Sequence, residues 1–173
     1  MLTLALLRHA KSSWDNPNSS DFDRPLNPRG QKNAPEAGMA LRELGARPDL
    51  ILCSPAKRTR ETLDLVLPHL KGPAPTIQFE EALYHASAGQ MLDRLRQTKD
   101  SAAAVLLVGH NPGLHALALT LAGSGAAADL ALLSERYPTS AIALIRFDVV
   151  KWRELAAAKG HLMDFWTPRR LRE

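Results

Sequence analysis

At 173 residues, 45% of them hydrophobic and 23% charged, the chain is long enough to bury a substantial core and reads as one domain over residues 1–173. Its 22 Lys and Arg are interspersed with 18 Asp and Glu for a formal charge of +4, which suits anionic ligands and reads as a mixed solvated surface, not a nucleic-acid footprint. The single cysteine, Cys53, rules out an internal disulfide framework and predicts a reducing, cytoplasmic setting, and no apolar run is long enough to span a membrane.

In chain order, the first element is an apolar run from Leu2 to Leu7. It lacks the basic flank and small-residue cleavage site of a signal peptide, so it reads as a strand, and it leads into Arg8-His9-Ala10-Lys11-Ser12. Asn27-Pro28 then places a capping residue before a proline at the first helical position, ahead of the stripe Ala34, Ala37, Leu41 and Leu44. A second strand, Leu50 to Cys53, is followed by Ser54-Pro55 and the stripe Thr59, Leu63, Val66, Leu67 and Leu70. A third stripe runs Ala88, Met91, Leu92 and Leu95. The strand Ala103 to Val108 leads into Gly109-His110-Asn111-Pro112-Gly113, whose Asn111-Pro112 predicts a helix with the stripe Leu114, Leu117, Ala118 and Leu121. Ala141 to Phe147 is a further strand, and Gly160 to Trp166 reads as one more, at an edge. These runs are too continuously apolar for strands with a wet face. Alternating with helices, they predict an α/β fold of three layers, an open, mostly parallel sheet flanked by helices.

In such a sheet, ligands bind beyond the carboxyl ends of the strands, where Arg8-His9, Ser54 and Gly109-His110 emerge. Helices beginning at Pro55 and Pro112 would aim free backbone N–H groups at the same crevice, which favours an anion, and arginines bind phosphoryl oxygens in a bidentate manner that lysine cannot match. Like charge from these cations should keep His9 neutral and able to attack phosphorus, with its tautomer fixed by a backbone carbonyl. His110 would then donate to a phosphoryl oxygen.

Other residues read as ordinary packing or solvated surface: His69, His85, His115 and His161; Arg29, Lys57 and Lys11, the last adding only field; the tail Arg169-Arg170-Leu171-Arg172; and Trp14, Trp152 and Trp166. Arg60 lies about 200° around a helix from Arg58 and cannot share its face. Counting six from Cys53 reaches Thr59, one short of the arginine that a cysteine phosphatase needs. His110 and His115 are off the i, i+4 spacing, and there is neither an HExxH nor a GxxxxGK[ST] motif. No metal and no cofactor is implied.

Five blocks, Leu7-Arg8-His9-Ala10-Lys11-Ser12, Arg24-Pro25-Leu26-Asn27-Pro28-Arg29-Gly30, Ser54 to Thr62, Glu81-Ala82-Leu83-Tyr84 and Val108 to Pro112, together resemble the histidine phosphatase, or phosphoglycerate-mutase-like, superfamily and its short SixA-like phosphohistidine phosphatase branch. The resemblance implies a phosphoglycerate-mutase-like fold and His9 as the phosphorylated nucleophile. It implies Arg8, Arg58 and His110 around the phosphate, Arg24 as an additional contact, and Glu81 as general acid with Glu80 as the alternative. Ala10 stands where the broad family has glycine, which disfavours the mutase branch. About fifty residues separate Arg58 from His110, too few for a lid beyond the strand and helix they already encode. The expected activity is therefore metal-independent removal of phosphate from phosphohistidine in a partner protein, whose imidazole leaves more readily than an alkoxide. A small phosphomonoester substrate and a noncatalytic phosphate-binding module stay open, as does the oligomeric state.

Overall fold

The structure, a computed structural model, describes residues 1–168; the basic tail Arg169-Arg170-Leu171-Arg172 lies outside the described residues. The expected strands form β1 (Leu2–Arg8), β2 (Leu50–Cys53), β4 (Ala104–Gly109), β6 (Ile142–Phe147) and β7 (Gly160–Trp166), joined by β3 (Thr76–Phe79) and β5 (Ala122–Gly125). The helices are α1 (Pro28–Glu43), α2 (Lys57–Val66), α3 (Ala88–Arg96), α4 (Gly113–Leu121) and α5 (Ala127–Glu135). All seven strands belong to one sheet in the order β3-β2-β4-β1-β6-β7-β5, in which only β6 runs against the others.

Strand periodicity of two sends alternate apolar residues into two cores. Leu4 and Leu6 of β1, Leu52 of β2 and Leu107 of β4 pack with Met91 and Leu95 of α3, Leu117 and Leu121 of α4, and Leu133 of α5. Ala5, Leu7, Ile51, Cys53, Leu106 and Val108 face the other way, onto Ala37 and Leu41 of α1 and Leu63 and Val66 of α2. Helices on both faces of a mostly parallel sheet are the expected three layers. Among the described residues no helix is long and apolar enough to cross a membrane.

Three details differ from the sequence reading. β7 is not an edge strand, because β5 pairs beside it. β5, Ala122-Gly123-Ser124-Gly125, has no strand-forming side chains; its small residues allow close approach, and a Cβ on Gly123 would strike the Ala158 carbonyl. β3 is exposed along its whole length and so carries no apolar signature.

The cap expected at Asn27 is present, with its side chain accepting from the Gly30 N–H at 2.8 Å. α2, however, begins at Lys57 and not at Pro55. The Ser54 hydroxyl is bonded to His110 and the Ser54 carbonyl accepts from Thr59 Oγ1 at 2.7 Å, which leaves Pro55-Ala56 as an extended lead-in. α4 begins at Gly113, one residue late, although the Asn111 side chain still accepts from the His115 N–H at 3.2 Å.

The first turn of α1 is seated directly on the segment that follows His9. The Asn27 N–H donates to the Lys11 carbonyl at 3.0 Å, and a Cβ on Gly30 would collide with that same carbonyl oxygen. Gly30→Ala is therefore expected to cost about 1–3 kcal/mol in urea unfolding and to lower activity by displacing this segment. Gly89→Ala, at a helical position with open space around it, should leave stability unchanged or slightly raised.

Candidate active site

Parallel pairing sets Arg8 of β1 opposite Gly109 of β4, and Cys53 of β2 opposite Val108. The next residue of each strand, His9, His110 and Ser54, therefore leaves the sheet at one end. His9 and His110 are almost wholly buried, with ring centroids 5.2 Å apart. Arg8, Arg24 and Arg58 join them in lining one cavity of about 280 Å³. A larger hollow of about 610 Å³ starts at the amino ends of β2, β3 and β4 and is lined by no histidine or cysteine.

His9 Nδ1 lies 2.7 Å from the Ala10 carbonyl, which can only accept, so Nδ1 carries the proton and Nε2 keeps its lone pair. Ala10 is anchored in turn, its N–H donating to Thr62 Oγ1 at 2.9 Å, while the Thr62 hydroxyl donates to the Arg58 carbonyl at 2.7 Å. One chain of bonds thus couples the orientation of His9 to α2, the helix that carries Arg58.

Burial holds the His9 imidazole well below the usual histidine range; His110, Arg58 and Arg8 push the same way and the Ala10 bond opposes them. Like charge, the cause expected from the sequence, is thus secondary to desolvation. His110 is pushed down to about 3, again by burial first and Arg58 second. Its Nε2 lies 2.7 Å from Ser54 Oγ, while its buried Nδ1 has no partner. Arg8 donates from Nη1 to the Tyr137 carbonyl at 3.0 Å and leaves Nε unpaired. Orphaned polar atoms at a buried cationic site are what an oxyanion would satisfy.

Asp21 is the one acid among the residues lining this cavity, and nothing in the sequence reading singled it out. Its carboxylate accepts from Arg24 Nη1 at 2.9 Å, from Arg58 Nη2 at 3.1 Å and from the Tyr84 hydroxyl, while its carbonyl accepts from Arg58 Nη1 at 2.7 Å. Although burial acts against ionisation, these bonds and the Arg58 charge hold the carboxyl far below the ordinary range. Asp21 thus fixes the guanidinium of Arg58, which is 4% exposed in the first turn of α2. Arg24 is more committed still, since Nε donates to the Ser13 carbonyl at 3.1 Å and Nη2 to Ser12 Oγ. It braces the segment from Ser12 to Arg24 as well as lining the cavity.

Glu81 is not brought to the cavity: it is exposed on a short 3-10 turn, Glu81–Leu83. Glu80 is bound through both oxygens to Arg94 Nε at 2.8 Å on a different face. His85, expected to be an ordinary surface histidine, instead lines the cavity beside His110, as does Lys11. Trp14 is 72% exposed at the rim, where the Arg24 guanidinium lies 3.2 Å from its ring centroid, so its role is not core packing. Trp152 and Trp166 are buried as expected. Arg60 is exposed and bonded to the Pro55 carbonyl, outside the cavity. Burial pushes the Cys53 thiol up to about 12, which makes it a core hydrophobe and a poor nucleophile. The only cue to Asp21 was a carboxylate three residues before Arg24; Tyr84 closes the Glu81 block with no role assigned to it, and His85 is only adjacent to that block.

Residues 4–106 match the family described as Histidine phosphatase superfamily (branch 1). An uncharacterized protein of Mycobacterium tuberculosis is 38% identical over 165 residues, covering 94% of this chain and all of that one. Among solved structures, the SixA phosphohistidine phosphatase candidate of Agrobacterium tumefaciens is 31% identical with a TM-score of 0.79, covering 96% of this chain and 98% of its own. The SixA candidate of Nakamurella multipartita has a TM-score of 0.82 at 27% identity, covering 96% of each chain.

The depressed imidazoles have a consequence for stability. Below the ordinary histidine pKa of 6.5 the unfolded chain takes up protons that folded His9 and His110 refuse, so folding becomes less favourable as pH falls. Between pH 6.5 and about 4.5, above the carboxylate range, urea unfolding should show stability falling by up to about 1.4 kcal/mol per pH unit for each histidine. His110→Asn should flatten that slope without reversing it.

Proposed function

Because the chain belongs to the histidine phosphatase superfamily, we propose that it removes phosphate from phosphohistidine in a partner protein by way of a phosphohistidine on its own His9. The observation that carries this reading is the bond from His9 Nδ1–H to the Ala10 carbonyl, which leaves Nε2 as an unprotonated nucleophile among Arg8, Arg58 and His110.

The Nε2 lone pair attacks phosphorus, and the bond to the departing nitrogen breaks with its electron pair as that nitrogen gains a proton. Arg8 and Arg58 hold the equatorial oxygens, whose charge spreads in the transition state, and His110 supplies a neutral donor, with Arg24 at the margin. Water then attacks the phosphorus on His9, the electron pair returns to Nε2, and inorganic phosphate leaves. No step calls for a metal or a cofactor.

The proposed substrate class is supported by how the chain between Arg58 and His110 is spent. It forms the rest of α2, then β3, α3 and β4, with two short 3-10 turns between them. An uncovered cavity of about 280 Å³ suits a side chain presented by a macromolecule better than a metabolite that must be enclosed. The single buried thiol, Cys53, is consistent with a cytoplasmic setting.

Turnover of a phosphohistidine peptide, compared with phosphoramidate and small phosphomonoesters under identical conditions, tests the substrate assignment. Wide preference for an alkyl phosphomonoester would make the enzyme a small-molecule phosphatase, and binding of phosphate without any turnover would make it a noncatalytic module. His9→Ala should abolish turnover with the fold intact, and wild-type enzyme quenched without acid should carry phosphate on His9 by mass spectrometry. Arg58→Ala should lose about a hundredfold in kcat/KM, near 3 kcal/mol, whereas Arg60→Ala should stay close to wild type. Equal losses would mean that Arg58 is not the transition-state guanidinium.

A further inference from the structure

We infer that His85 is the proton donor to the leaving group. The inference rests on the reading of His9 as nucleophile. His85 follows the turn Glu81–Leu83 and has φ 58°, a left-handed conformation uncommon outside glycine, though less so for histidine. That backbone turn brings its ring to the cavity mouth, 61% of the side chain exposed, with ring centroids 3.9 Å from Tyr84 and 6.2 Å from His110. Its Nε2 lies 3.5 Å from Asp21 Oδ2.

The other carboxyl, phenol and imidazole groups at the cavity are committed, and Lys11 carries an ammonium in place of a ring that can both give and take a proton. Asp21 is an acceptor for Arg24, Arg58 and Tyr84 and stays ionised. The Tyr84 hydroxyl spends its proton on Asp21, and its acidity is weakened by burial and by that same carboxylate. His9 and His110 are held neutral, and Glu81 is outside the cavity. His85 combines a place in the cavity lining, with its ring largely exposed, with an imidazole that can both give and take a proton.

In the first half-reaction His9 Nε2 bonds to phosphorus, the phosphorus–leaving-atom bond breaks, and the leaving atom takes its electron pair together with a ring proton from the His85 imidazolium. His85 is left neutral. In the second, neutral His85 accepts a proton from the attacking water while the phosphorus–Nε2 pair returns to His9, which restores the imidazolium.

The test compares wild type, His85→Asn and Glu81→Gln on an activated aryl phosphate, an alkyl phosphate and a phosphohistidine peptide. Asparagine tolerates the left-handed backbone, and the exposed position spares the core. For His85→Asn, kcat/KM should fall about a hundredfold on the alkyl ester, by less than about threefold on the aryl ester, and only modestly on the phosphohistidine peptide. On the aryl ester its kcat should drop and phosphorylated His9 should accumulate, because hydrolysis has lost its base. A uniform loss on all three would make His85 a support for Asp21 and overturn the assignment. So would no loss on any substrate, or the graded pattern appearing in Glu81→Gln instead. Absence of phosphate on His9 in quenched wild-type enzyme would refute the nucleophile itself, whatever the His85 variant does.

Discussion

The in-register parallel pairing of β1 with β4 is the constraint on which the site depends. Arg8 faces Gly109 across that pair, so the two histidines, about a hundred residues apart in sequence, leave adjacent strands at the same level. A slip of β1 by one residue would turn Leu4 and Leu6 out of one core and Ala5 and Leu7 out of the other. The hydrophobic effect that holds the register therefore also sets the 5.2 Å separation of the imidazole rings. Catalytic geometry and fold stability here have a common cause.

Charge at the cavity is arranged around a single carboxylate. Arg8, Arg24 and Arg58 are crowded beside neutral imidazoles, and Asp21 ties two of the three guanidinium groups in place. Such an array favours an incoming oxyanion, because donors already oriented need little reorganisation when negative charge arrives. Burial favours the neutral form of both imidazoles without help from a neighbouring base, and the Ala10 carbonyl fixes which nitrogen of His9 keeps its lone pair.

This separation of roles explains why residues between β3 and α3 matter as much as those at the strand ends. The short turn Glu81–Leu83 directs Glu81 into solvent, while Tyr84 reaches Asp21 and His85 lines the cavity. Tyr84 completes the hold on Asp21 and packs edge-on to His110 at 5.5 Å.

Much of the fold was legible because its signals are local. Apolar runs from Leu2, Leu50 and Ala103, and stripes such as Leu114, Leu117 and Leu121, follow from periodicities of two and 3.6, which one element expresses by itself. Arg8, His9, Arg58 and His110 were legible as site candidates because they sit at the ends of those elements. β5 was not, since Ala122 to Gly125 becomes a strand only through the pairing β7 offers and the close approach of Ala158. Nor was the place of α2, which starts only at Lys57: Ser54 Oγ accepts from the Ala56 N–H at 3.4 Å but is shared with His110, 56 residues away. Asp21, Tyr84 and His85 have no periodicity, and their positions come from loops whose course is set by long-range bonds to Arg24, Arg58 and one another. The sequence alone determined the layers, the strand ends and the place of His9 at one of them, because burial patterns and strand–helix alternation are written locally. Only the tertiary structure decided which nitrogen of His9 is free, what holds Arg58 and which residues stand at the mouth, because each depends on contacts between segments that sequence order leaves far apart.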